Sequence, residues 1–120
     1  MGHRDRHERA PIDREVASEV AQVMHALSTL SRVMILGRLR ESTCTVTELA
    51  DHLRMEQSAV SHQLRVLRLL GLVVGAREGR TVVYALHDDH VAALLDQAVS
   101  HTEHTRLGLS ATPGRRTAAV

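Results

Sequence analysis

Four residues of metal-ligating type stand near the end of the chain, at a spacing that one copy of the chain cannot use alone. Asp88 and His90 open a segment of helical periodicity and His101 and His104 close it, with Val91, Leu94, Leu95, Ala98 and Val99 as the apolar positions between. An α-helix rises about 1.5 Å per residue, so His90 and His101 lie roughly 16 Å apart, beyond the reach of one small ion. If two copies pack antiparallel about a two-fold axis, residues sharing a sequence midpoint meet across it. His90 with His101 and Asp88 with His104 share a midpoint at Leu95 and Asp96. The spacing therefore predicts a homodimer with two equivalent sites, each taking Asp88 and His90 from one protomer and His101 and His104 from its partner. Imidazole and carboxylate donors suit zinc, cobalt or nickel. The competing reading is a solvated polar surface, the ordinary fate of a single histidine. Four ligand-type residues obeying one symmetry relation favour the metal.

A second donor set lies at the amino terminus. Residues 1–12, MGHRDRHERAPI, are polar, with Pro11 ahead of the first periodic segment, and read as a flexible arm. Removal of Met1 would leave the Gly2 α-amine beside the His3 imidazole, a pair able to chelate a metal, with His7 in reserve. The same residues read equally well as an arm that binds nothing in particular.

These ligands need elements to carry them, and 120 residues suffice for one domain with a modest core, to which a dimer interface would add usefully. With no Phe or Trp and Tyr84 as the single aromatic, that core must be built from aliphatic side chains, which favours packed helices. The formal charge of +1 excludes a uniformly basic nucleic-acid binder, but all 15 basic residues are arginine and several cluster, so local patches matter more than the net charge. The lone Cys44 excludes an intramolecular disulfide and a multi-cysteine zinc site, and is expected as a small semi-buried side chain. No apolar run has the length of a signal-peptide core or membrane span, which points to a cytoplasmic protein without a membrane partner.

Along the chain, Asp13 is the expected N-cap of a helix with Val16, Val20, Val23, Met24 and Leu27 on a face for core or dimer contact. Ser31 is expected to cap a second helix carrying Val33, Met34, Leu36 and Leu39, and Thr45 or Thr47 a short third helix. After a turn at Arg54-Met55-Glu56 comes Gln57 to Leu70, whose Val60, Leu64, Leu67 and Leu70 form a core stripe. Another face carries Ser58, Ser61, His62, Arg65 and Arg68, with Gln57 and Gln63 adding amides. Hydroxyls, amides and an imidazole for base edges, with guanidinium groups for phosphates, are what a helix in the DNA major groove requires. A solvated face is the alternative, but no carboxylate occurs between Glu56 and Glu78, which spares the phosphates. Gly71 ends this helix, and Leu72-Val73-Val74 and Thr81 to Leu86 read as strands joined by a turn over 75–80, with Arg77 and Arg80 at its tip. The fold class is thus mainly α with a small β-hairpin: a winged helix-turn-helix, dimeric through its first and last helices. The folded domain should span 13–106, with residues 107–120 a flexible tail.

The run Gln57-Ser58-Ala59-Val60-Ser61-His62-Gln63-Leu64-Arg65-Val66-Leu67, followed by Gly71-Leu72-Val73 and a wing ending Val83-Tyr84-Ala85-Leu86, resembles the ArsR/SmtB metal-sensing transcriptional repressors over roughly residues 15–105. The Asp-x-His and His-x-x-His pairs match that family's interprotomer site on its last helix, so the resemblance implies ligand roles for Asp88, His90, His101 and His104. The family's other common site uses a cysteine pair in the helix before the recognition helix, where this chain reads Glu48-Leu49-Ala50-Asp51-His52, which argues against sensing lead, cadmium or arsenic. The Met-Gly-His start and the Met55–His62 stretch are most similar to the nickel/cobalt sensors of the family, in which the amino-terminal segment raises coordination beyond four; Gly2 and His3 are the matching residues. After His104 the tail has no histidine, so any tail ligand of relatives is missing. The expectation is a repressor that releases double-stranded operator DNA on binding nickel or cobalt and so derepresses metal efflux or resistance genes. A zinc-responsive repressor is the alternative, a metal-storage or delivery protein without DNA binding the alternative of another class. An enzyme is not expected, since no nucleophile-base spacing or pocket-forming loop can be identified.

Overall fold

The computed structural model describes residue 9 and residues 11–108. Five helices and one hairpin are found among them: α1 (Arg14–Ala26), α2 (Leu30–Glu41), α3 (Val46–Leu53), α4 (Gln57–Leu69), β1 (Val73–Glu78), β2 (Thr81–Leu86) and α5 (Asp89–Arg106). Local chemistry sets the helix starts. Asp13 caps α1 by accepting from the Val16 amide at 2.9 Å. The cap of α2 is Thr29 rather than Ser31: its hydroxyl accepts from the Arg32 amide, so the helix begins one residue before the expected cap. At α3 a capping box closes, Thr45 Oγ1 accepting from the Glu48 amide at 3.1 Å while the Thr45 amide donates to Glu48 Oε1 at 2.9 Å. Replacing Thr45 with Ala should therefore cost about 1 kcal/mol. In a domain of this size that lowers the melting temperature by roughly 4–8 °C, measurable by far-UV circular dichroism.

The core lies where α2, α3 and α4 meet the hairpin. Ile35, Leu36, Leu49, Val60, Leu64, Leu67 and Val73 are its fully buried large side chains, all aliphatic as the composition requires. Cys44 is buried, deeper than expected, because its backbone pairs with Tyr84 in an isolated bridge (N–H to O distances of 3.1 and 2.8 Å) that ties the α2–α3 connection to β2.

The helix-turn-helix is α3 and α4, with Arg54 in the left-handed region (φ 57°) at the end of α3. Helix α4 stops at Leu69, and Gly71, with φ 74°, turns the chain toward β1. The hairpin is longer and its turn tighter than the sequence suggested. Strand β1 continues through Gly75, Ala76, Arg77 and Glu78, pairing antiparallel with β2 from Val73↔Leu86 to Glu78↔Thr81, which leaves Gly79-Arg80 as a two-residue turn. Gly79 supplies the positive φ (66°) that such a turn demands. Gly75 belongs to the strand for a packing reason: a Cβ there would come within 2.9 Å of Val82 Cγ1 and 3.1 Å of the Tyr84 ring. Arg77 accordingly stands on a strand and Arg80 in the turn.

Helices α1 and α5 flank this body and are only partly covered by it. Ala26 is the buried residue of α1, while Val20 and Met24, expected on its apolar face, are 40% and 53% exposed. Helix α5 buries Val91 and Leu95 but leaves Val99 47% exposed, and Leu107 beyond it is exposed as well. An Arg40–Asp96 ion pair of 2.9 Å fastens the middle of α5 to α2. No single helix among the described residues is long and apolar enough to cross a membrane.

Candidate metal centre and nucleic-acid interface

Asp88 is the N-cap of α5. Its Oδ1 accepts from the His90 amide at 3.0 Å and the Val91 amide at 3.2 Å, which fixes the carboxylate at the helix mouth. Its Oδ2 lies 3.0 Å from His87 Nδ1. The His87 contact, together with the two amides and the nearby His90 ring, holds the Asp88 carboxyl below the usual carboxylate range. Because the folded value is depressed, the stabilisation it carries is complete above the unfolded value and disappears as pH falls through the folded one. Asp88 therefore stays an anion at neutral pH. His90 Nδ1 is 3.7 Å from Asp88 Oδ1, and the imidazole is 97% exposed.

At 100° per residue, His90, His101 and His104 fall within a sector of about 60° of the α5 surface, roughly opposite the buried Val91 and Leu95. All three are exposed. Gln97 occupies the same sector between them with Ala93 at its margin, and the short Ala93 side chain leaves room for another helix to approach. The structure thus brings Asp88 to His90 at one end of α5 and His101 to His104 at the other, and holds the two pairs apart by the length of the helix. Among the described residues no group of three or more His, Cys, Asp or Glu side chains converges to hold a metal within one protomer. The donor set itself, three imidazoles and a carboxylate, fits zinc, nickel or cobalt. Gly2 and His3 lie outside the described residues.

On α4, Ser58, Ser61, His62 and Arg65 share one side, with Arg68 and Gln57 at its margin and Val60, Leu64 and Leu67 buried opposite. All are exposed apart from Ser61, which is half-buried. Gln63 departs from the expected face. It stands on the core-side flank, half-buried, and its Oε1 accepts from Arg32 Nε of α2 at 2.7 Å, a contact that braces the recognition helix against α2. Arg77 and Arg80 are exposed on the wing. A cleft of about 430 Å³ opens between α4 and the wing, lined by Ser61, Arg65, Arg68, Leu69 and Tyr84. Tyr84 and Leu69 were not among the residues expected there. The signal for Tyr84 was its being the only aromatic side chain, and for Leu69 its place two helical turns after Ser61.

Residues 30–74, from α2 into β1, match the family model described as bacterial regulatory protein, arsR family. Over a longer stretch of 101 residues, the chain is 60% identical to the HTH-type transcriptional regulator NmtR of Mycobacterium tuberculosis, an alignment spanning 84% of each chain. The chain belongs to the ArsR family. The HTH-type transcriptional repressor SmtB of the same species is 40% identical over 92 residues, covering 77% of this chain and 68% of that one. The solution structure of apo-NmtR superposes with a TM-score of 0.71 at 56% identity over 92% of both chains. The homodimeric winged helix-turn-helix domain Mb0332 from Mycobacterium bovis superposes with a TM-score of 0.73 at 26% identity, over 81% of this chain and 90% of that one. The chain is accordingly a winged helix-turn-helix, DNA-binding transcriptional regulator, and not an enzyme.

Proposed function

We propose that this ArsR-family member is a cytoplasmic homodimer that occupies operator DNA in the metal-free state and lets go on binding nickel or cobalt, derepressing metal efflux or resistance genes. The folded unit spans residues 13–106, with the arm before it and the tail after it. The observation that carries the metal reading is the sharing of one exposed face of α5 by His90, His101 and His104, with Asp88 fixed at the head of that helix. The dimer reading is supported by the apolar side chains left exposed on α1 and α5. In such a dimer Asp88 and His90 of one protomer would hold the metal together with His101 and His104 of the partner subunit. The two α5 helices would then be fixed in one arrangement, in which the paired α4 helices no longer match successive major grooves. Regulation requires metal to prefer the DNA-free form by a coupling free energy of a few kcal/mol, each 1.4 of which is about tenfold in affinity. A storage or delivery protein predicts no operator affinity at all. Fluorescence anisotropy of labelled operator with the full chain, alone and with each metal, separates the two: binding by the apo protein and its loss with metal supports the repressor.

The choice of metal turns on coordination number. Asp88, His90, His101 and His104 complete a tetrahedral zinc site, which makes zinc the second reading, whereas nickel and often cobalt take six nitrogen and oxygen donors. In our reading the additional donors are the Gly2 amine and the His3 imidazole. Deleting residues 2–7 should then cut nickel affinity and nickel-driven operator release far more than it alters zinc binding. X-ray absorption of the nickel form should shift from six toward lower coordination. An equal nickel response with and without the arm would instead favour the zinc sensor.

A further inference from the structure

Beside the proposed ligands stands a histidine to which neither the fold nor the proposed site assigns a role. His87 follows β2 directly, and its backbone amide donates to the Leu72 carbonyl at 2.9 Å, which anchors the residue to the segment that leaves the recognition helix. Its side chain turns to Asp88, with Nδ1 3.0 Å from Oδ2. An ionised carboxylate only accepts hydrogen bonds, so the proton of this bond resides on His87 Nδ1. The two oxygens of Asp88 are thus differently committed: Oδ1 serves the His90 and Val91 amides at the start of α5, and Oδ2 is oriented by His87.

We propose that His87 is a positioning residue for the metal centre, setting the orientation of the Asp88 carboxylate from outside the ligand set. The inference rests on the reading of Asp88 and His90 as ligands. Its physical basis is that a carboxylate held through one oxygen can still swing about that contact, and a second hydrogen bond removes the freedom before metal arrives. Groups that orient ligands in this way typically govern 10- to 100-fold of metal affinity. Because the anchor to Leu72 is made by the main chain, substitution of the His87 side chain leaves it in place.

The test titrates the full chain with nickel and with zinc against a competing chelator, in the His87→Ala, His87→Asn and His90→Ala variants. His87→Ala should bind about 10- to 100-fold more weakly. His87→Asn, whose side-chain N–H stands close to where Nδ1 does, should recover most of that loss. X-ray absorption should count the same number of imidazole ligands in both His87 variants as in the wild type. Unchanged affinity in His87→Ala, with His90→Ala impaired, overturns the positioning role and leaves the ligand set standing. The loss of one imidazole from the absorption spectrum of both variants also overturns it, making His87 a direct ligand. If His90→Ala binds as the wild type does, the ligand reading falls and this inference with it.

Discussion

A dimer built from one His90→Ala chain and one His101→Ala chain is expected to bind half the metal that the wild-type dimer binds. In the antiparallel arrangement, one site of this mixed dimer carries both substitutions and the other carries neither. Each variant as a homodimer loses a ligand from both sites, and the loss should exceed the 10- to 100-fold typical of removing a group that merely orients a ligand. The mixed dimer should therefore show one site of wild-type affinity where the parent homodimers show none. Isolating it with two different affinity tags and titrating it with metal reads the stoichiometry directly. If each site instead drew its ligands from a single protomer, the mixed dimer would lose both, and the pairing inferred from the shared midpoint at Leu95 and Asp96 would be wrong.

The separation of the two donor pairs was legible in the sequence because helical spacing is a rigid ruler: His101 stands eleven positions beyond His90 on α5 whatever packs around them. The face they use was less legible. Val91, Leu94, Leu95, Ala98 and Val99 read as one apolar middle, yet Val91 and Leu95 turn into the protomer's own core while Val99 remains exposed, and periodicity alone does not say which apolar position meets which neighbour. The strands of the wing are longer than their sequence suggests for a related reason. Gly75 carries the signal of a turn, and its actual cause, the approach of Val82 and the Tyr84 ring from the opposite strand, exists only once the hairpin has paired. The interactions of longest reach were invisible in the sequence. Arg32 to Gln63 and Arg40 to Asp96 are separated by 31 and 56 residues, and nothing in an arginine's local context names its partner. Both arginines belong to α2, so one helix touches the recognition helix near its start and the proposed sensing helix near its end.

Replacing Ser61 and His62 together with Ala should weaken operator binding by about 1–3 kcal/mol for each base-edge hydrogen bond removed, or roughly 5- to 150-fold apiece. His62 is exposed on α4 and Ser61, half-buried, loses only its hydroxyl oxygen on truncation, so the double substitution should leave the fold and metal binding intact. Arg77 and Arg80 lie instead on the wing, where in the proposed complex a guanidinium would meet the DNA backbone or minor groove and read little sequence. Arg77→Ala or Arg80→Ala should weaken binding to all DNA alike and flatten the dependence of log affinity on log salt concentration by about one unit for each phosphate no longer neutralised. The contrast between the two classes decides the assignment. Measured by anisotropy on specific and scrambled duplexes across a salt series, the α4 variant should lose discrimination while keeping its salt slope, and the wing variants should do the reverse. Undiminished discrimination in the Ser61/His62 variant would remove α4 as the reading helix and move the search for base recognition to the wing.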